Sequence, residues 1–406
     1  VSNTLVTCSI VAKESLAILK NMLSFSAAVN RDFESEFTSN MSRGYAPGST
    51  INIKRPPRYT YRAGRVAVPQ STVETTVPLT LNQGGCDLNF TSLERTLSLT
   101  RLEDKLMAAM APVANEIDRQ GLELARTSVY NLVNATGALP STAALSIAAM
   151  TDLGRRLDEM AAPRDRRRAM VSNPALNGAL VQGFGGYFNN QATVSQQNRT
   201  GMIANNNFGF DSIGMDQNVA VHANGAATAT NVNGANQTGS TITVVAVAGG
   251  TLTRGTVINL PNVFAVNPQS RQSTGVLMDF VVTADVLVGA TSIPISPAIV
   301  TSGAFQNVTA SPTSGAAYTI RGSASTSYGA NIAYHKDAFT LAMVPMWAPP
   351  GGKGVIDVAQ ETMDGFTLKV TEFYDGTNDN SIMRIDVLFG WAATYPELAC
   401  KFYTLN

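Results

Sequence analysis

The chain has 406 residues, enough for two or three domains with a sizeable core, so neither a metal nor a disulfide is needed to explain folding. Lys plus Arg number 29 and Asp plus Glu also number 29, and this zero net charge removes the drive for non-specific phosphate binding that basic proteins use. Charged residues make up 14% of the chain, against about 25% in an average soluble protein, which marks much of the surface for protein contact.

Cys8, Cys86 and Cys400 are far apart, odd in number and form no CxxC pair, which argues against a zinc site or a disulfide framework and fits a reducing compartment. The opening residues carry no basic segment followed by an apolar core, and no later run approaches about eighteen uninterrupted apolar residues. Neither a standard export signal nor a membrane span is therefore expected.

Ile18, Leu19, Met22, Leu23 and Phe25 fall at near-helical spacing and predict an amphipathic helix over 11–25. From Arg43 to Leu81 apolar and polar residues alternate around Pro56-Pro57 and Gly64, as in a long two-stranded ribbon with a loose tip. That ribbon carries Lys54, Arg55, Arg58, Arg62 and Arg65 with no acid from Thr50 to Val73, so a partner or solvent must supply the opposite charge.

The longest helical signal runs from about Ser92 to Val133, with Leu99, Leu102, Leu106, Met110, Val113, Ile117, Leu124 and Val129 on one stripe. Glu103, Asp104, Glu116, Asp118 and Glu123 give it an acidic wet side. Pro112 removes a backbone donor and crowds the preceding turn, which predicts a kink or a division. A second helix is predicted over 142–160, capped by Ser141 or Thr142, followed by the basic cluster Arg164 to Arg168 and a short strand.

From about Ile213 to Gly329 charge almost vanishes, and Thr, Val, Gly, Asn and Ser replace the helix formers. TITVVAVAG, GTVINLP, LMDFVVTADV, TSIPIS and AAYTI read as short strands of an all-β insert, of barrel or sandwich kind. After Gly329 the strand-like runs FTLAMVPM, FTLKVTEFYDG and SIMRIDVLFGWAATYP return to the style of the host.

No GxxxxGK, GxSxG, HExxH or EF-hand pattern occurs, so catalytic, cofactor-binding and metal sites are all expected to be none. Gly183-Phe184-Gly185-Gly186 reads as a loop rather than a phosphate cradle, because it neither follows a clear strand nor opens a convincing helix. His335 with Asp337 has no marked nucleophile; Tyr334 to Met346 reads as the beginning of a strand whose Ala338, Leu341, Met343 and Met346 pack, with Lys336 and Asp337 at its exposed start. Cys400 lacks an activating neighbour and reads as an inert thiol. The Arg164–Arg168 cluster is the best candidate for touching DNA, but a solvated helix end or a subunit contact is favoured.

This element order resembles the major capsid proteins of tailed phages with the Hong Kong 97 fold, in particular the P22 coat protein type with its inserted immunoglobulin-like or telokin-like β-barrel. GSTINIKRPP resembles the ribbon called the E-loop in that family, and RLEDKLMAAMAPVANEIDRQGLELA its spine helix. GFGGYF with RTGMIANNNFGFDSIGMDQNVAVH resembles the run leading into the insert, AYHKDAFTLAMVPM the run leaving it, and FTLKVTEFYDGTNDNSIMRIDVLFGWAATYPELA the closing strands.

The resemblance implies an α+β chain divided into an N-terminal arm (1–48), E-loop (49–85), P-domain with spine helix (86–138), first part of the A-domain (139–212), β insertion domain (213–329) and returning A- and P-domain strands (330–406). It implies a subunit of an icosahedral virion shell, assembled in the host cytoplasm from pentamers and hexamers with a scaffolding protein and a portal. The shell would enclose double-stranded DNA contacted non-specifically, with a decoration protein optional and no membrane, cofactor or reaction.

Within it Lys54, Arg55, Arg58, Arg62 and Arg65 would meet acids of a neighbouring subunit, among them Glu103, Asp104, Glu116 or Asp118. Some relatives link a ribbon lysine to an asparagine, but no asparagine and carboxylate partner for Lys54 is recognisable here. The alternative is a non-enzymatic binding protein whose Asn- and Thr-rich β module recognises a sugar or a protein; a hydrolase stands behind both.

Overall fold

The structure is a computed structural model that describes residues 8–32, 50–62, 64–67, 69–91, 102–184, 203, 207–348 and 355–405, without the side chains of 90, 91 and 102–105. Helix α1 (Cys8–Met22) leads to strands β1 (Thr50–Arg55), β2 (Thr75–Thr80) and β3 (Asn82–Thr91). Helix α2 (Leu102–Ser128) and β4 (Leu132–Val133) follow, then α3 (Ala143–Glu159), β5 (Arg168–Ser172) and α4 (Pro174–Phe184). The β-rich stretch holds β6 (Ser212–Met215), β7 (Val221–Ala223), β8 (Gly239–Thr243), β9 (Val257–Val266), β10 (Ser273–Val282), β11 (Ser292–Ile299) and β12 (Thr319–Ile320). The chain closes with β13 (Ser327–His335), β14 (Thr340–Met343), β15 (Val355–Met363), β16 (Phe366–Asp375), β17 (Asn380–Ala392) and β18 (Ala399–Leu405).

These elements form two units, one of Val1–Ile53, Val77–Gly121 and Thr340–Ala392, the other of Lys54–Thr76, Leu122–Phe339 and Ala393–Asn406. In the first, the sheet runs β14-β17-β16-β15 with β3 also paired to β17, all antiparallel. Helix α1 packs on β15 and β16 through Cys8, Val11, Ala12, Ser15, Leu16 and Leu19, a spacing of three and four residues that keeps one face buried. Ile51, Ile53, Leu79 and Leu81 pack with Ala342, Val344 and Ala392, so the base of the β1–β2 ribbon has a core although its outer part does not.

Helix α2 runs unbroken past Pro112. The ring costs one backbone hydrogen bond, but Ala109, Met110, Val113, Ala114 and Ile117 are buried on both sides of it. Packing at about 1.5–3 kcal/mol per large apolar side chain offsets a penalty of about 3 kcal/mol, so the predicted division does not occur. The predicted stripe residue Leu99 lies outside the described residues.

In the second unit a mixed sheet runs β4-β18-β13-β5-β6, with β7 also on β13. The β18–β4 and β5–β6 pairs are parallel and the others antiparallel. Helices α3 and α4 pack together over a core that includes Met150, Leu153, Leu157, Leu176, Leu180, Phe184, Cys400 and Phe402. Thr142 caps α3 by accepting from the Leu145 N–H at 3.3 Å.

Helix α4 was not among the predicted elements; Gly183 and Phe184 close it, and Gly185 and Gly186 lie outside the described residues. Its start is nevertheless signalled by Asn173-Pro174: the Asn173 carboxamide oxygen accepts from Leu176 N–H at 2.9 Å, and proline takes the first helical position.

The predicted β stretch forms a five-stranded antiparallel sheet in the order β12-β9-β10-β11-β8 around Ile242, Val244, Ile258, Leu260, Phe280, Val282, Ile293 and Tyr318. Residues Ser212–Met215 pair with β5 and Val221–Ala223 with β13, so both segments belong to the mixed sheet and not to this five-stranded one. At the other end Tyr328 already pairs with Leu405. His222 therefore belongs to the mixed sheet.

Candidate inter-subunit surface

Of the ribbon's basic residues Lys54, Arg62 and Arg65 are exposed and Arg55 and Arg58 half-buried, and most find partners in their own chain. Lys54 pairs with Glu74 at 2.9 Å, the acid just past the acid-free stretch. Arg58 reaches Glu397 at 3.2 Å, and Arg55 stands over the Tyr395 ring at 5.4 Å. Arg62 folds back on the carbonyls of Gly64 and Val66. Arg65 is exposed and has no polar partner among the described residues. Beside it Tyr61 is 94% and Val66 79% exposed, so the outer ribbon presents an aromatic and an aliphatic side chain to solvent.

The acids expected to face this ribbon do not behave alike. Glu103 and Asp104 lie in the first turn of α2, with side chains outside the described set. Glu116 is half-buried and takes two hydrogen bonds of 2.7 Å from Arg119 and one of 2.8 Å from Gln120. The Arg119 guanidinium holds its carboxyl below the usual range.

Asp118 departs from the expectation of an exposed contact acid: it is 2% exposed, and Ser24, Phe25 and Ser26 donate to its two oxygens. A helix pattern assigns it to the wet side. The chain after α1, however, crosses that side and needs an acceptor for three successive N–H groups.

The remaining candidate groups are held in structural roles. His335 ends β13 at 1% exposure; its Nδ1 accepts from Asp337 N–H at 3.3 Å, which leaves Nε2–H to donate to Asp165 at 2.9 Å. It thus caps a single turn, and the strand expected to begin at Tyr334 instead ends at His335. Arg164 and Arg168 both bind Asp158, and Arg168 also donates to the Pro163 and Ala162 carbonyls, which makes this basic cluster a helix-end clasp. Burial pushes the Cys400 thiol up to about 12, far from a reactive thiolate. Among the described residues no group of three His, Cys, Asp or Glu could hold a metal, and no helix is long and apolar enough to cross a membrane.

Sequence patterns missed a buried polar junction in the second unit. Asp279 on β10 accepts from Arg156 at 2.6 Å, from Asn259 at 2.7 Å and from the Leu132 N–H at 3.1 Å. Lys401 on β18 is fully buried and donates to the carbonyls of Arg126 and Gly255, each at 3.1 Å. A charged residue inside the apolar run ACKFYTL was the available signal.

Comparison with curated proteins gives no match. Similar solved structures include Mycobacterium phage Che8, at 13% identity with 94% of this chain and 90% of that chain covered and a TM-score of 0.48. The capsid of cyanophage P-SCSP1u shows 9% identity, 88% and 84% coverage and a TM-score of 0.42. For the mature capsid of bacteriophage PhiM1 the values are 11%, 88%, 83% and 0.40. Residues 87–402, well over half of the chain, match the family model described as P22 coat protein, gene protein 5, and the chain belongs to that family of phage coat proteins.

Proposed function

We infer that the chain is the major capsid protein of a tailed phage and builds the shell that encloses its double-stranded DNA. The family match over 87–402 carries this reading. An α+β chain with one exposed ribbon and a β stretch with its own core fits the Hong Kong 97 architecture, the β stretch taking the place of the immunoglobulin-like insertion domain. Pentamers and hexamers, a scaffolding protein and a portal are the expected partners, assembly taking place in the host cytoplasm, and packaged DNA is touched without sequence preference. Low charge suits a subunit that tiles in several environments, because such contacts rely on adaptable, largely uncharged surface.

The ribbon from Lys54 to Thr76 is the proposed E-loop contact. Tyr61, Arg65 and Val66 are free to be covered by a second copy, while Lys54, Arg55, Arg58 and Arg62 would exchange partners within their own chain for partners on the neighbour. Glu116, Glu103 and Asp104 remain acids that such a neighbour can offer, and Asp118 does not. Exposed pairs of this kind are worth about 0–1 kcal/mol each, so they set register more than they hold the shell.

Sedimentation and negative-stain microscopy of the full chain, alone and co-expressed with proteins encoded beside it, test the reading. Closed shells or large curved sheets are the expected result. A small uniform species under every condition would instead favour a free-standing binding protein.

A further inference from the structure

We propose that the Lys401 amine is a proton-linked latch that ties the loop Leu252–Thr256 to the C-terminal end of α2. The amine bridges two backbone carbonyls from separate parts of the chain, Arg126 in the last turn of α2 and Gly255 in the loop. Gly255 has φ +92°, and a Cβ there would stand 3.2 Å from the Arg126 guanidinium and 3.3 Å from its carbonyl, so the loop is pressed directly against the helix end. No side-chain carboxylate is among the hydrogen-bond partners of Lys401 in the described residues.

The groups around the amine come from four elements. Arg126 and Glu123 lie on α2, where Arg126 binds Glu123, donates to His222 Nδ1 at 3.0 Å and reaches the Arg254 carbonyl at 3.3 Å. Strand β7 supplies His222, which is fully buried and passes its Nε2–H to Asn224 at 2.9 Å. Strand β18 itself supplies Cys400 and Tyr403, the Tyr403 ring lying 5.9 Å from the amine. Strand β10 supplies Asp279, whose oxygens are already taken by Arg156, Asn259 and Leu132.

A protonated Lys401 thus sits beside a second cation, Arg126, while Asp279 gives its oxygens to other donors. Burial, then Arg126, lower its pKa to about 7. The neutral amine still has two N–H groups, one for each carbonyl. The closed latch therefore loses no hydrogen bond when the proton leaves, and sheds an unfavourable charge.

Opening exposes the amine to water, where its pKa returns to 10.5. Between these values the open state binds the extra proton, so opening grows as pH falls from about 10 to 7, by up to about tenfold per unit. Below pH 7 both states are protonated and this dependence levels off. The loop is held most firmly at alkaline pH and is loosest, as far as Lys401 is concerned, at neutral pH and below.

Hydrogen exchange by mass spectrometry on the full unassembled chain, corrected for intrinsic rates, tests the latch. Peptides spanning 252–256 and 126–131 should gain up to about tenfold protection per pH unit from 7 to 9, and K401M should abolish that slope. In the wild-type chain with 13C-labelled lysine, one side-chain resonance should titrate near 7, which needs no variant to fold. The proposal is overturned by an equal slope in K401M, by a flat wild-type profile, or by lysines that all titrate above pH 9.

Discussion

Asp118 and Ser26 meet twice, through the Ser26 N–H at 3.0 Å and through the Ser26 hydroxyl, both donating to Oδ1. The other carboxylate oxygen takes the Ser24 N–H at 2.8 Å and the Phe25 N–H at 3.3 Å. One side chain of α2 therefore satisfies three successive backbone donors where the chain leaves α1. Asp118→Ala leaves those donors without an acceptor in a buried place, and should cost about 3 kcal/mol. Urea unfolding measures the loss, and limited proteolysis should locate new cleavage near residues 23–28. Unchanged stability would mean that water replaces the carboxylate there.

Gly121 faces the Phe25–Trp391 stack, whose rings lie 5.3 Å apart. A Cβ at 121 would come to 2.6 Å from Trp391 and 2.8 Å from Phe25. Glycine to alanine in a helix ordinarily stabilises by about 1 kcal/mol, whereas overpacking a core costs about 1–3 kcal/mol. Trp391 is also fixed by its Nε1–H to the Ile117 carbonyl at 3.1 Å, so it cannot yield freely. Gly121→Ala should lower the melting temperature and shift tryptophan emission. A stabilised variant would show that the ring pair can move aside.

Arg156 and Asp279 form an ion pair at 2.6 Å, with side chains only 4% and 5% exposed. Removing Arg156 leaves the buried Asp279 without a cation, and Arg156→Met should destabilise by about 3–5 kcal/mol; Asp279→Asn should cost less, because Glu159 still pairs with Arg156 at 3.2 Å. The double variant should recover part of that loss, because two neutral groups carry no unpaired charge. A double-mutant cycle by denaturant unfolding checks this. Additive losses would rule out coupling between the two groups.

How much of this was readable in the sequence depends on the range of the interaction. Helices α1, α2 and α3 and the strands of the β stretch follow from three- to four-residue or two-residue periodicity, which local chain geometry dictates. The unbroken course of α2 through Pro112 did not, because burial on both sides decides it. The roles of Asp118, Asp279 and Lys401 depend on chain segments far away in sequence: Lys401 bonds to residues 146 and 275 positions away. Residue type marks such groups as unusual without naming their partners. The ribbon shows the same limit, since its charge was legible and the pairing of Lys54 with Glu74 and Arg58 with Glu397 was not.

His222 is held neutral by burial first, and by the nearby cations Lys401 and Arg126, with its pKa brought down from 6.5 to about 3. Arg126 donates to its Nδ1, a contact that only an unprotonated nitrogen can accept. Between pH 6.5 and 3 the unfolded chain binds a proton that the folded chain refuses. Stability should therefore fall as pH drops through this window, with the unfolding constant rising by up to about tenfold per unit. His222→Gln should flatten that part of the profile in urea titrations at several pH values. An unchanged slope would assign the acid sensitivity to other groups.

Arg65 and Tyr61 separate folding from assembly. Both side chains are exposed, Tyr61 at 94%, and neither contributes to a core in its own chain. Arg65→Glu and Tyr61→Ser should therefore change folding stability by no more than about 0.5 kcal/mol. If the ribbon is covered by a second copy, the same changes act at every repeat of the shell. Small losses then multiply, because each closed particle contains the contact many times. The expected result is wild-type thermal unfolding of the free subunit together with a reduced yield of closed particles by sedimentation. Wild-type yields from both Arg65→Glu and Tyr61→Ser would remove the outer ribbon from the contact and leave the shell to be held by other surfaces.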